Sequence, residues 1–219
     1  MFSFVLAGLL GYFLGSLPTA FLLVRWISRL DIRSAGSGNV GTLNSYQVTG
    51  SFLVGAAVLA LDAAKGIAAV SLSGVLPDHD FAHQACAGVC AILGHNFPVW
   101  LRFRGGRGLA TAAGVFSMFC WPLVLLWGVL WSGAYMVLRE VNPANAVALL
   151  LLPMLLAVTP GTLLSRFTSG RVPAEEFTLF AAAAILVVLV KHLGPVRAYI
   201  GERREARSRR NDTGGAGRS

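Results

Sequence analysis

Long apolar runs separated by short polar stretches limit this chain more than any other feature. A helix needs about 20 apolar residues to cross the hydrocarbon core of a bilayer. Apolar segments run from Phe4 to Ile27, Phe52 to Leu76, Phe81 to Leu93, Leu109 to Leu138, Ala144 to Val158 and Phe177 to Val190, of which Phe81 to Leu93 is short. The Leu109–Leu138 run is too long for one untilted crossing, and Trp121-Pro122 near its middle marks a break into two short helices forming a hairpin. The expected architecture is therefore all-α: a polytopic membrane protein of about seven transmembrane helices. A soluble domain that is 55% hydrophobic and only 13% charged would leave large apolar patches exposed. Nucleic-acid binding is a poor reading, because no soluble domain remains to carry it. The first residues, MFSFVLAGLLGYF, lack a basic leading region and read as a retained span, not a cleaved signal.

Orientation follows from charge. Apart from Lys65, Arg166 and Arg171, every Lys and Arg falls on the side reached by odd-numbered crossings. Positive residues concentrate on the cytoplasmic side, so the N-terminus is expected outside and the C-terminus inside. The loop from Pro77 to His83 carries Asp78 and Asp80 without a Lys or Arg and belongs outside. Residues 1–200 read as one membrane-embedded domain, and 201–219 as a basic, disordered cytoplasmic tail. The net charge of +8 is concentrated near that end, where it suits anionic lipid headgroups.

Two polar loops on the expected cytoplasmic side are unusual. GHNFPVWLRFRGGRGLAT, Gly94 to Thr111, carries Arg102, Arg104 and Arg107 among Gly105, Gly106 and Gly108. Glycines let successive N–H groups converge on an anion, and guanidinium forks match phosphate geometry. The helix beginning at Leu109 would point its positive end at the same place. The plain alternative is an arginine-rich loop that only anchors topology. AGSGNVGTLN, within Ser34 to Gly50, gathers Ser37, Asn39, Thr42 and Asn44. It is either a turn-rich connection or a cluster that binds hydroxyls and phosphate oxygens.

Asp62 and Lys65 lie inside an apolar run. A charge at mid-bilayer costs roughly 2.5–3.5 kcal/mol on insertion scales. Three residues apart, the two can pair on a helix; either they form a structural ion pair or Lys65 faces a polar cavity beside bound anions. His95 is either a helix cap or a ligand. Cys86, Cys90 and Cys120 fall in apolar segments and read as packed, reduced thiols; no metal site and no cofactor are expected.

Taken together, GSLP (Gly15–Pro18), GSGNVGTLN (Gly36–Asn44), LDAAKG (Leu61–Gly66) and GHNFPVWLRFRGGRGLAT resemble, in order and spacing, the bacterial membrane acyl-phosphate glycerol-3-phosphate acyltransferases. The second half of the chain matches in hydropathy alone. The resemblance implies a seven-span enzyme of the bacterial cytoplasmic membrane with its site on the cytoplasmic side. It implies transfer of an acyl chain from acyl phosphate to the 1-hydroxyl of glycerol 3-phosphate, an early step of phospholipid synthesis. Acyl phosphate, glycerol 3-phosphate and membrane lipids are then the partners, and an enzyme that makes acyl phosphate is a further candidate. Ser37 and His192 become the catalytic candidates. Asn39, Asn44, Lys65, His95, Arg102, Arg104, Gly105, Gly106, Arg107 and Gly108 become the substrate- and phosphate-binding candidates, with arginines where lysines are usual. Gln47, Asn142, Asn145 and Pro195 depart from the residues usual in that family, and Glu202 matches a family glutamate only with a shift of register.

Two anionic reactants need dense positive charge and backbone donors, and holding them together supplies much of the catalysis. Either the leaving phosphate or His192 takes the hydroxyl proton. Two other readings stand beside the enzyme: a small organic-anion transporter, suggested by Asp62 and Lys65, and a non-catalytic or substrate-shifted paralogue, suggested by the departures.

Overall fold

The computed structural model describes residues 1–77, 80–168 and 172–215; Asp78 and Arg171 lie outside them. The regular structure of the described residues is helical. In order it comprises α1 (Phe2–Ser16), α2 (Thr19–Ser28), α3 (Thr42–Thr49), α4 (Phe52–Ser73), α5 (Phe81–Asn96), α6 (Leu109–Leu138), α7 (Val141–Val158), α8 (Gly161–Phe167), α9 (Ala174–Val190) and α10 (Leu193–Gly215), with 3-10 turns at Ile32–Ser34 and Val99–Leu101.

By length and composition, Phe2–Ser28, Phe52–Ser73, Leu109–Leu138 and Val141–Val158 can each cross a membrane; α9 with α10, bent by 51°, makes a fifth if the pair is one span. α5 and α9 are shorter, with 16 and 17 residues. The outward faces are apolar: Leu53, Val129, Val137 and Leu179 are all exposed. In water such a belt would be a liability; against lipid tails it is at home.

The GSLP motif does break the first span. Leu17, at φ −56° and ψ 117°, ends α1, and α2 starts after Pro18. Small residues then let backbones touch. A Cβ on Gly11 or Gly15 would overlap the carbonyls of Ala87 and Ala91 on α5, so α1 and α5 pack at backbone distance.

α6 turns back on itself. Cys120, at φ −158° and ψ 78°, leaves helical geometry immediately before Trp121-Pro122, the break expected from the sequence. A straight helix of 30 residues would be about 45 Å long. Yet Arg107, just before α6, hydrogen-bonds Asn142, just after it. The two arms therefore run as a hairpin and bring both ends to one face. Behind the bend, Phe180 of α9 packs against Phe81, Phe116 and Phe119 at ring separations of 5.8, 5.5 and 5.1 Å.

At the C-terminal end α10 runs from Leu193 to Gly215. Pro195 falls in its first turn, where a missing N–H costs no helical bond.

Candidate active site

The Ser/Asn loop is built around Asn44. This side chain is 1% exposed. Its Nδ2 donates to the carbonyls of Ile32, Ala35 and Asn39 at 3.2, 3.1 and 2.9 Å, and its Oδ1 accepts from the Ser37 N–H at 2.9 Å. All of its polar capacity is thus spent on the loop's own backbone. Asn44 positions the loop, where direct substrate contact was expected. It leaves the Ser37 side chain exposed and Asn39 half-buried at the loop's rim.

In the arginine-glycine loop the glycines serve a different purpose from the expected nest. The Gly105 N–H donates to the Asn96 carbonyl at 3.3 Å and the Gly106 N–H to the His95 carbonyl at 3.1 Å. Those two amides satisfy the C-terminal carbonyls of α5 and are not free for an anion. What the glycines supply is close approach: a Cβ on Gly106 would collide with His95 Nε2 and lie 2.5 Å from the Val40 carbonyl. Gly108, at φ +81°, begins α6 without a side-chain cap, so the first-turn amides of α6 remain the donors for an anion. The arginines separate by environment. Arg102 and Arg104 are exposed, whereas Arg107 is half-buried and donates through Nη1 to Asn142 Oδ1.

Lys191 and His192 complete this corner. Lys191 Nζ lies 4.7 Å from the centre of the Phe97 ring. Burial, and then the nearby Arg107 guanidinium, hold its ammonium below the usual lysine range. His192 is completely buried. Its Nδ1 is 2.9 Å from the Val188 carbonyl; a carbonyl only accepts, so Nδ1 carries the proton and Nε2 is a free acceptor. Burial pushes the imidazole down to about 4, with Arg107 acting in the same direction against the Val188 bond. Among the described residues, Asn96 Oδ1, Thr111 Oγ1, Asn145 Oδ1 and His192 Nε2 are buried polar atoms without a partner. Among the described residues, no carboxylate forms an ion pair with Arg107 or Lys191. Two neighbouring cations of this kind have the chemistry to hold an anion.

Beneath the glycine loop lies a second polar group. Asp62 Oδ1 contacts Lys65 Nζ at 2.9 Å, accepts from Thr19 Oγ1 at 2.5 Å and lies 3.5 Å from His95 Nδ1. Lys65 also donates to the Leu17 carbonyl at 3.1 Å, one of the carbonyls released where the first span breaks. Lys65, Ser16, Thr19, His95 and Gly106 share one crevice. Of the two sequence alternatives for Lys65, the ion pair is present, and it lies in the same crevice as His95 and Gly106.

An apolar cleft opens beside the anion site. Leu109, Ala112 and Phe116 of the first α6 arm face Leu123 and Trp127 of the second, with Leu149 and Leu152 of α7 and Ile185 and Val188 of α9 closing the sides. Lys191 and Asn96, which adjoin His192 and His95, were not among the site residues expected from sequence. Lys191 was legible only as a positive-inside charge, and Asn96 only as a helix-end residue.

The geometry has counterparts in known proteins. The family described as glycerol-3-phosphate acyltransferase matches residues 5–200. The glycerol-3-phosphate acyltransferase of Mesorhizobium japonicum is 40% identical over 157 residues, covering 71% of this chain and 77% of that protein. That of Jannaschia sp. is 37% identical over 191 residues, covering 87% and 86%. Among solved structures, PlsY (YgiH), an integral membrane glycerol 3-phosphate acyltransferase, in its glycerol 3-phosphate form superposes with a TM-score of 0.71 at 25% identity, covering 92% of this chain and 94% of that one. Its lysophosphatidic acid form gives the same TM-score at 24% identity and speaks for the fold alone. The match to the family runs through both polar loops, the buried ion pair and the Lys191–His192 corner, and this chain belongs to the glycerol-3-phosphate acyltransferase family.

Proposed function

We propose that the protein transfers an acyl chain from acyl phosphate to the 1-hydroxyl of glycerol 3-phosphate, at the cytoplasmic face of a bacterial cell membrane that it crosses about seven times. The observation that carries this is the pairing of Arg107 and Lys191, without a carboxylate, beside the neutral His192 and at the mouth of an apolar cleft. Phosphate and acyl chain are the two halves of one donor, and the site offers each half its own surface.

In this reading Arg107, Lys191 and the first-turn amides of α6 hold the donor's phosphate, and the cleft takes its chain. Ser37 and Asn39, presented by the loop that Asn44 shapes, orient glycerol 3-phosphate; the exposed Arg102 and Arg104 draw it in. The glycerol hydroxyl attacks the acyl carbon, a new C–O bond forms, and the bond to phosphate breaks with its electron pair leaving on phosphate. His192 Nε2, a buried and unpartnered acceptor, takes the hydroxyl proton. The donor is already activated, so no covalent enzyme intermediate is needed. Lys65 and His95 stiffen the loop from beneath.

The departures from the family pattern fit this chemistry. Asn142 keeps an acceptor for Arg107, and Gln47 is exposed away from the buried corner. The transporter reading loses its chief support, because Asp62 and Lys65 neutralise each other within a hydrogen-bonded network. The test is one assay: purified protein in lipid, decanoyl or palmitoyl phosphate and labelled glycerol 3-phosphate, without coenzyme A or acyl carrier protein. Labelled 1-acylglycerol 3-phosphate is expected. Product only with a thioester donor would refute the acyl-phosphate assignment.

A further inference from the structure

The fold-back of α6 sets Phe116 and Leu123 on facing walls of the apolar cleft. Its lining reaches the anion site at Leu109, next to Gly108, and at Val188, whose carbonyl is 2.9 Å from His192 Nδ1. A reacting acyl carbon held at the anion site would therefore enter there. Going inward along the first arm, Leu109 and Phe116 are seven residues apart, about 10 Å at the helical rise. Beyond Phe116 the α6 backbone breaks at Cys120 and returns, so Leu123 comes back into the same cleft from the opposite wall. Phe116 is 6% and Leu123 4% exposed. Phe116 is pinned against Phe180 at 5.5 Å between ring centres, and both residues belong to the continuous core formed with Phe119 and Phe177. A floor built into a packed core does not yield readily to a longer chain.

We infer that the fold-back of α6 makes the cleft a ruler, with Phe116 and Leu123 limiting the length of acyl chain the enzyme accepts. The inference rests on the acyl-phosphate reaction proposed above and goes beyond it by assigning the residues that set donor specificity. Ala113, on the same lining nearer the mouth, is the position at which a larger side chain would shorten the space.

The experiment compares kcat/KM for decanoyl and palmitoyl phosphate, using the full chain in phosphatidylcholine vesicles. Phe116→Ala deepens the cleft and is expected to raise the palmitoyl-to-decanoyl ratio about tenfold; Ala113→Phe is expected to lower it by about as much. Phe116→Leu, a milder change, should move the ratio in the same direction as Phe116→Ala and serves if the alanine variant does not fold. If the chain instead slips sideways into the bilayer, both ratios stay within about twofold of wild type while turnover persists, and the ruler is refuted. A wild-type protein inactive with every acyl phosphate would overturn the proposed reaction itself, and the ruler with it.

Discussion

Arg107 Nη1 donates a hydrogen bond to Asn142 Oδ1 across 35 positions of chain. The bond closes the α6 hairpin at its open end and aims the guanidinium toward Lys191 and His192. Removing it separates orientation from charge. Asn142→Ala keeps every cation but frees Arg107 to move. A hydrogen bond to a charged group contributes about 1.5–3 kcal/mol, and partial exposure puts this one at the lower end. The expected result is a fall in kcat/KM of about tenfold, seen chiefly as a raised KM for acyl phosphate. Asn142→Asp should be worse than Asn142→Ala, because the new carboxylate would neutralise Arg107 and repel the donor's phosphate. Steady-state kinetics on the two variants check the order.

Gly106 distinguishes close approach from anion binding. Its N–H is already bonded to the His95 carbonyl, and its Cα faces the His95 ring. Gly106→Ala should therefore destabilise the fold by about 1–3 kcal/mol through overpacking, besides losing activity. The same account predicts rescue. In a His95→Ala background the clash with the ring is gone and only the approach to the Val40 carbonyl remains, so Gly106→Ala should cost less stability there. Thermal unfolding of the two singles and the double, in one detergent, gives the coupling. Additive losses would show that the ring is not what the glycine makes room for.

The sequence made the helical membrane architecture legible because bilayer thickness forces long apolar runs, and it located the break in α6 because Trp121-Pro122 interrupts such a run. Through positive-inside counting and motif resemblance it also led to the expectation that Arg107, Ser37 and His192 share one face. It misjudged how individual polar groups are used. Asn44 and the amides of Gly105 and Gly106 looked free for substrate, yet the fold spends them on its own carbonyls. Which donor meets which acceptor depends on tertiary packing, and no local pattern records it. Lys191 was overlooked for the converse reason: its value comes from Arg107, 84 positions earlier in the sequence, and from Phe97 beneath it.

The buried ion pair permits a sharper test of what Lys65 does. Asp62 and Lys65 are 1% and 6% exposed and 2.9 Å apart. Breaking such a pair from one side leaves an uncompensated charge and costs about 3–5 kcal/mol, whereas replacing both partners with apolar groups is often close to neutral. Asp62→Asn should thus be far less stable than the double variant Asp62→Leu/Lys65→Met. The double variant should fold yet lose turnover, since the Leu17 carbonyl and His95 lose their anchors. A folded double variant with wild-type kcat would remove this network from any part in shaping the site.

His192, lying beyond the end of α9, gives stability a pH dependence whose sign can be worked out. Burial lowers its folded pKa to about 4, against an ordinary value of 6.5. Between those values the unfolded chain binds a proton that the folded chain refuses. Protons therefore favour unfolding, and the protein loses stability as pH falls from about 6.5 toward 4. Fully developed, a shift of that size corresponds to about 3 kcal/mol. The acid limb of the rate profile is a poor readout, because phosphate monoesters titrate near pH 6 themselves. Unfolding is the better one. Wild type and His192→Gln should differ in the slope of Tm against pH across this window, with wild type the steeper and the variant nearly flat in this contribution. Parallel slopes would mean that His192 titrates like an ordinary surface imidazole; its Nε2 would then be wet and charged at mildly acid pH, and the proton-accepting role assigned to it would have to pass to the leaving phosphate.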